Sequence, residues 1–118
     1  MAERQIYEKS KVFALKIVNV CKNIQIEKKE YILTDQLIRS STSIGANIAE
    51  SKYAQSNADF VSKLQIALKE CAESEYWIDM LKGADYISEE EFNNLRAECG
   101  RLRIMLVTAV KTAKKEDK

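Results

Sequence analysis

No proline interrupts any of the 118 residues, and only three glycines, Gly45, Gly83 and Gly100, relax the backbone. Proline removes a backbone donor and clashes with the preceding helical turn, whereas the tight turns between strands favour glycine and proline. A chain without those breaks is free to run in long helices, and its apolar residues fall at helical steps. Phe60, Leu64, Ala67, Cys71, Ser74, Ile78 and Leu81 step alternately by four and three, the heptad seam of bundle packing. Phe92, Leu95, Cys99, Leu102, Leu106, Ala109 or Val110, and Ala113 make a second seam. Ile6, Phe13, Ile17, Val20, Cys21 and Ile24 make a third, and Leu33, Leu37, Ile44 and Ile48 a fourth.

The periodicity predicts helices over about 4–25, 31–52, 57–82 and 89–114. Ser56 with Asp59, and Ser88 with Glu91, have the spacing of helix-starting caps. Gly83 suits a left-handed helix stop. Four helices of similar length with short connections predict an all-α, antiparallel up-down-up-down four-helix bundle, a single domain spanning residues 1–118.

The second helix carries a polar face beside its apolar stripe. Gln36, Arg39, Ser43, Asn47 and Glu50 recur at steps of three and four. Between the two faces lie Ser40, Ser41, Gly45, Ala46 and Ala49, small residues and poor helix formers in part, which a helix retains where a neighbour must come close. If the turn between the second and third helices centres near Gln55, Arg39 lies level with Glu73 and Glu70. An arginine inside a bundle needs such a partner, and losing it would cost about 3–5 kcal/mol. The ladder therefore reads as a register-fixing network, in preference to a recognition or catalytic site.

With 46% hydrophobic and 31% charged residues, the chain has enough apolar surface for a core and no apolar run of membrane-spanning length. The opening residues, Met1 to Lys9, lack a signal-peptide apolar region, so the expected location is the cytoplasm, with no membrane partner. Histidine is absent, and Cys21, Cys71 and Cys99 are far apart on apolar stripes. They read as small buried hydrophobes in a reducing compartment, and no metal or other cofactor is expected.

The ladder also carries a resemblance. The segment Leu33-Thr-Asp-Gln-Leu-Ile-Arg39, continued by Ser43-Ile-Gly-Ala-Asn-Ile-Ala-Glu50, is similar to the signature of the small four-helix-bundle family of 23S rRNA intervening-sequence proteins, Gln-x-x-Arg-x-x-x-Ser-Ile-x-x-Asn-Ile-Ala-Glu-Gly. It continues at Phe60, Leu64, Ile66-Ala-Leu68 and Glu73, while Ser51 stands where a glycine is usual and Lys69-Glu70 replace a Gly-Ser pair. The resemblance marks Gln36, Arg39, Ser43, Asn47, Glu50 and Glu73 as signature positions. It implies a non-enzymatic bundle that assembles into five-membered rings. Its relatives include the accessory protein of diversity-generating retroelements, which binds a reverse transcriptase and nucleic acid.

Three functions compete. A structural or interaction protein working as a homo-oligomer is favoured by apolar residues outside the core seams, which need a second partner: Leu15, Val18, Ile66, Trp77 and Met80, with Ile104 and Val107. Nucleic-acid binding is the alternative. The whole chain is nearly neutral, with 19 basic and 18 acidic residues, but residues 1–29 hold seven basic and three acidic groups, a net of +4. Lys9, Lys11, Lys16, Lys22, Lys28 and Lys29 are the candidate contacts. An enzyme is disfavoured. The carboxylates Glu70, Glu73, Glu75 and Asp79 do not share one helix face, and no nucleophile–base pair or phosphate-binding glycine loop is present.

Overall fold

Helix caps decide where this chain turns. In the computed structural model, residues 2–116 are described, and they form α1 (Ala2–Lys28), α2 (Ile32–Ser51), α3 (Asn57–Gly83) and α4 (Glu89–Lys115). Among the described residues there is no strand. Ser56 Oγ accepts from the Asp59 N–H at 3.0 Å, as its spacing predicts. Ser88 and Glu91 form the reciprocal box, with bonds of 3.1 and 2.9 Å. Such caps satisfy backbone donors left free by the first helical turn.

Two turns differ from expectation. Gly83 is still helical, and the left-handed position falls on Asp85, with φ 68°. The Tyr86 N–H reaches the Leu81 carbonyl at 2.8 Å and the Asp85 N–H the Lys82 carbonyl at 3.0 Å, a Schellman stop with aspartate in place of glycine. At the α1–α2 turn the cap is Glu30. Its carboxylate accepts from the N–H groups of Ile32, Leu33 and Thr34 at 2.7, 2.9 and 3.0 Å, a negative charge on a helix N-terminus.

Pairings between helices run in opposite senses. Across α2–α3, Glu50 meets Lys63 near the turn and Ser40 meets Ser74 further along. Across α3–α4, Lys82 faces Glu89, Asp79 faces Arg96, and Asn57 donates to the carbonyl of Ala113. Gln25 bonds Thr34 across α1–α2, and Lys16 bonds Glu98 across α1–α4. Each helix thus packs antiparallel on two neighbours, while the diagonal pairs α1/α3 and α2/α4 make no close backbone approach. The bundle measures 51 × 22 × 20 Å, the shape expected when helices of about 40 Å lie side by side.

All four predicted seams supply the core. Phe13, Ile17, Cys21, Leu37, Ile44, Ile48, Ala67, Cys71, Ile78, Leu81, Cys99 and Leu106 are fully buried. The α3 seam begins at buried Val61; Phe60, expected there, is only half-buried at the bundle end. In α4, Val110 takes the inward position and Ala109 the half-buried one.

The small residues of α2 do bring neighbours close. Ser40 and Ser74 share a buried hydroxyl–hydroxyl bond of 2.9 Å. A Cβ at Gly45 would stand 2.8 Å from Ser10 Oγ on α1. Ser10, Ser41 and Ser51 return their hydroxyls to the carbonyl three residues earlier. Among the described residues, every buried side-chain nitrogen or oxygen finds a partner.

Candidate interaction surfaces

Arg39 is the hub of the polar ladder. Its guanidinium pairs with Glu73 through Nη2 and with Glu70 through Nη1 at 3.5 Å, and Nε donates to Gln36 Oε1 at 3.4 Å. The Trp77 indole N–H donates to the same Glu73 carboxylate at 3.0 Å. The levels inferred from antiparallel geometry are therefore right, but the setting is not the bundle interior. The Arg39 side chain is 48% exposed, on the outer rim of the α2–α3 seam. The core-facing positions of α2 at this level go to Leu37, Ser40 and Ser41, which leaves Arg39 in contact with water. Water screens the pair, so it contributes up to about 1 kcal/mol, not an interior ion pair's several.

The rest of the ladder does not converge. Ser43 and Asn47 donate to the carbonyls four residues earlier on their own helix, at 2.7 and 2.8 Å. Glu50 pairs with Lys63 at 3.0 Å. The carboxylates of α3 separate onto two seams, with Glu70 and Glu73 held by Arg39 of α2. Glu75 is bound by Arg96 and Arg103 of α4 at 2.9 and 3.3 Å, and Asp79 by Arg96 at 3.0 Å. The sequence reading missed these α4 arginines, although the same turn-centred counting about residues 83–88 sets Arg96 level with Glu75.

The basic residues of α1 spread over both flanks. Lys9 and Lys16 lie toward α4, where Lys16 pairs with Glu98 at 2.7 Å. Lys11 lies toward α2, 5.3 Å from the Tyr7 ring centre, with Lys52 at 5.4 Å from the same ring. Lys28 stands 5.8 Å from the ring of Tyr86. Lys22 and Lys29 are exposed.

Apolar surface lies away from the core seams. Leu15 is 62% exposed, and Val12 and Ile26, which the sequence reading passed over, are 55% and 76% exposed. Their common phase with Leu15 was the available signal. Ile66, Met80 and Tyr76 are exposed on α3, and Ile104 on α4. Val18, Trp77 and Val107 are half-buried. Trp77 packs edge-to-face on Tyr76, with ring centres 4.9 Å apart. A cleft of about 290 Å³ opens between the ends of α1 and α4, walled by Ile6, Phe60, Ile104, Met105 and Ala109.

All three cysteines are free and buried. Burial, helped by the nearby Glu30 and Asp35 charges, pushes the Cys21 thiol up to about 12. The Cys71 thiol is also raised, by its hydrogen bond with Cys99 and by burial. Cys99 Sγ in turn lies 3.5 Å from the Cys71 carbonyl oxygen. These thiols act as apolar packing groups.

A model of the 23S rRNA-intervening sequence proteins matches residues 2–108. The chain belongs to that family. One solved structure, a protein with unknown function from the S23 ribosomal protein family of Bacteroides thetaiotaomicron VPI-5482, is 41% identical to it. That match covers 94% of this chain and 99% of the other, with a TM-score of 0.91. No curated protein matches. For this family member the ladder maps onto one rim, α2 against α3, where Gln36, Arg39 and Glu73 meet and Asn47 and Glu50 do not.

Proposed function

We propose that this chain is a non-enzymatic interaction protein that works in the cytoplasm as a symmetric homo-oligomer, a ring of five by family resemblance. The observation that carries this reading is the apolar surface on the outside of the bundle, with Val12, Leu15 and Ile26 on α1, Ile66 and Met80 on α3, and Ile104 on α4. A small bundle that buries its seams this completely has no internal use for these side chains, and apolar faces of this kind associate. The polar networks support the same reading. The charged groups with the most partners are engaged with one another, as structural pairs are, and they lie on seams outside any enclosed pocket. Among the described residues no helix is long and apolar enough to cross a membrane, and three free thiols suit a reducing compartment. Sedimentation velocity over a dilution series tests the proposal. A particle larger than one chain is expected, and a monomer at every concentration would refute it.

Nucleic-acid binding is the second reading, favoured by one feature: Tyr7 stands between Lys11 and Lys52, an aromatic face with two cations beside it. Dye-labelled structured RNA in the same sedimentation run distinguishes the two. Co-sedimentation that persists at physiological salt supports an RNA-binding accessory protein, and free RNA beside an intact oligomer supports the scaffold.

A further inference from the structure

We infer that the open α1–α4 seam binds a long-chain carboxylate, with its head between Lys9 and Arg101 and its alkyl tail laid past Met105 against Ile6 and Phe60. The inference stands apart from the self-association of the chain and adds a small-molecule site.

Two hollows lie end to end on this seam and share Met105. Each holds about 290 Å³. Joined, they fall in the range of ligand sites between the helices of bundles, about 300–1,000 Å³ and mostly apolar with a few polar groups. The first hollow is the cleft at the ends of α1 and α4, and small Ala109 and Ala113 keep its floor low. Ile104 on its wall is 60% exposed for want of a neighbour, and an alkyl chain lying there would take that surface out of water.

The charges give the site a direction. Lys9 of α1 and Arg101 of α4 line the second hollow, both exposed and neither in an ion pair or side-chain hydrogen bond among the described residues. The acid beside them, Glu98, is taken by Lys16 at 2.7 Å. A carboxylate entering there meets two uncommitted cations. At the far end of the first hollow the charged side chain is Glu116, which repels an anion and disfavours the reverse orientation. Between the two ends, from Arg101 to Thr112, α4 rises about 16 Å, a length for an extended alkyl chain. A cationic amphiphile loses the head contacts of this arrangement, and a short carboxylate loses the tail contacts.

Isothermal titration of the full-length chain with dodecanoate, kept below its micelle-forming concentration, tests the site. Saturable binding is expected. Dodecyltrimethylammonium, with the same tail and the opposite head, is expected to bind about tenfold more weakly or worse, and acetate to give no saturable heat. Lys9 and Arg101 are exposed, so K9Q/R101Q leaves the core untouched; it is expected to raise the dodecanoate Kd about tenfold. Ala109→Phe fills the cleft and is expected to raise it at least as far, with circular dichroism checking the fold. A chain without saturable dodecanoate binding would overturn the site, as when a second copy or a partner protein covers the seam. Equal binding of the two amphiphiles would overturn the assignment of the head. A Kd unchanged in both variants would place the binding elsewhere. Binding to phosphatidylglycerol vesicles without binding to monomeric dodecanoate would replace the soluble ligand by a membrane surface.

Discussion

Replacing Gly45 by alanine tests the close approach of α1 to α2. Glycine in the middle of a helix is worse than alanine by about 1 kcal/mol, so on propensity alone Gly45→Ala stabilises the protein. The structure opposes that gain. The new methyl would lie 2.8 Å from Ser10 Oγ, and Ser10 is fully buried with its hydroxyl donated to the Tyr7 carbonyl at 2.6 Å. Either α1 and α2 separate, or the hydroxyl rotates away from its partner; overpacking or a lost buried hydrogen bond each costs about 1–3 kcal/mol. The expected net effect is destabilisation of up to about 2 kcal/mol. Removing the hydroxyl reverses the sign, because the Ser10 Cβ stands at an ordinary 3.7 Å. In an S10A background, Gly45→Ala is expected to stabilise by about 0.5–1 kcal/mol. Urea denaturation of the four proteins, at one fixed concentration because association adds to apparent stability, completes the double-mutant cycle. Equal stabilisation by Gly45→Ala in both backgrounds would refute the close α1–α2 approach.

Two further predictions concern charge. Arg39→Ala is expected to lower stability by no more than about 1 kcal/mol, since its pairs are exposed to water; a thermal melt showing a loss of about 3 kcal/mol or more would return Arg39 to an interior role. The Cys21 thiol is raised from 9.0 to about 12 in the folded chain, so between those values the unfolded chain releases a proton that the folded chain keeps. Stability contributed by this group is complete below pH 9 and falls as pH rises toward 12, and Cys21→Ala is expected to flatten that part of the pH–stability curve. An alkaline limb identical in wild type and variant, followed by denaturant midpoint against pH, would count against the buried thiol.

The helices and the core were legible because both depend on spacing. Leu64, Cys71 and Ile78 are buried where the heptad set them, and Gly45 lies against α1 as a close-approach position should. Turn chemistry was less legible. Glycine at residue 83 looked like the left-handed stop, yet Asp85 takes that role because the helix runs to the end of its apolar seam at Leu81 before it closes. Glu30 was hidden in a run of charges, since a glutamate cap depends on where α1 ends and not on a short local motif. Arg39 shows a different limit. Antiparallel counting fixes the level of a residue along the bundle, but whether it points inward depends on a rotation of a few tens of degrees, which Leu37 and Ser40 decided.

The ion pairs between helices are unevenly distributed over the four seams. The α2–α3 rim is held by Arg39 with Glu70 and Glu73, and by Lys63 with Glu50. The α3–α4 rim is held by Arg96 and Arg103 with Glu75 and Asp79. In both cases the charges near the seam are spent inside the chain, which fixes register and leaves little to offer a partner. By contrast, α1 meets α4 along the most open of the four seams and holds one described ion pair with it, Lys16 to Glu98. Its outward face keeps Val12, Leu15 and Ile26 in water. A helix that contributes Phe13, Ile17 and Cys21 to the core is held in the bundle by them. The core residues of α1 lie on one side and its exposed apolar residues on the other, and the two sides can be mutated independently.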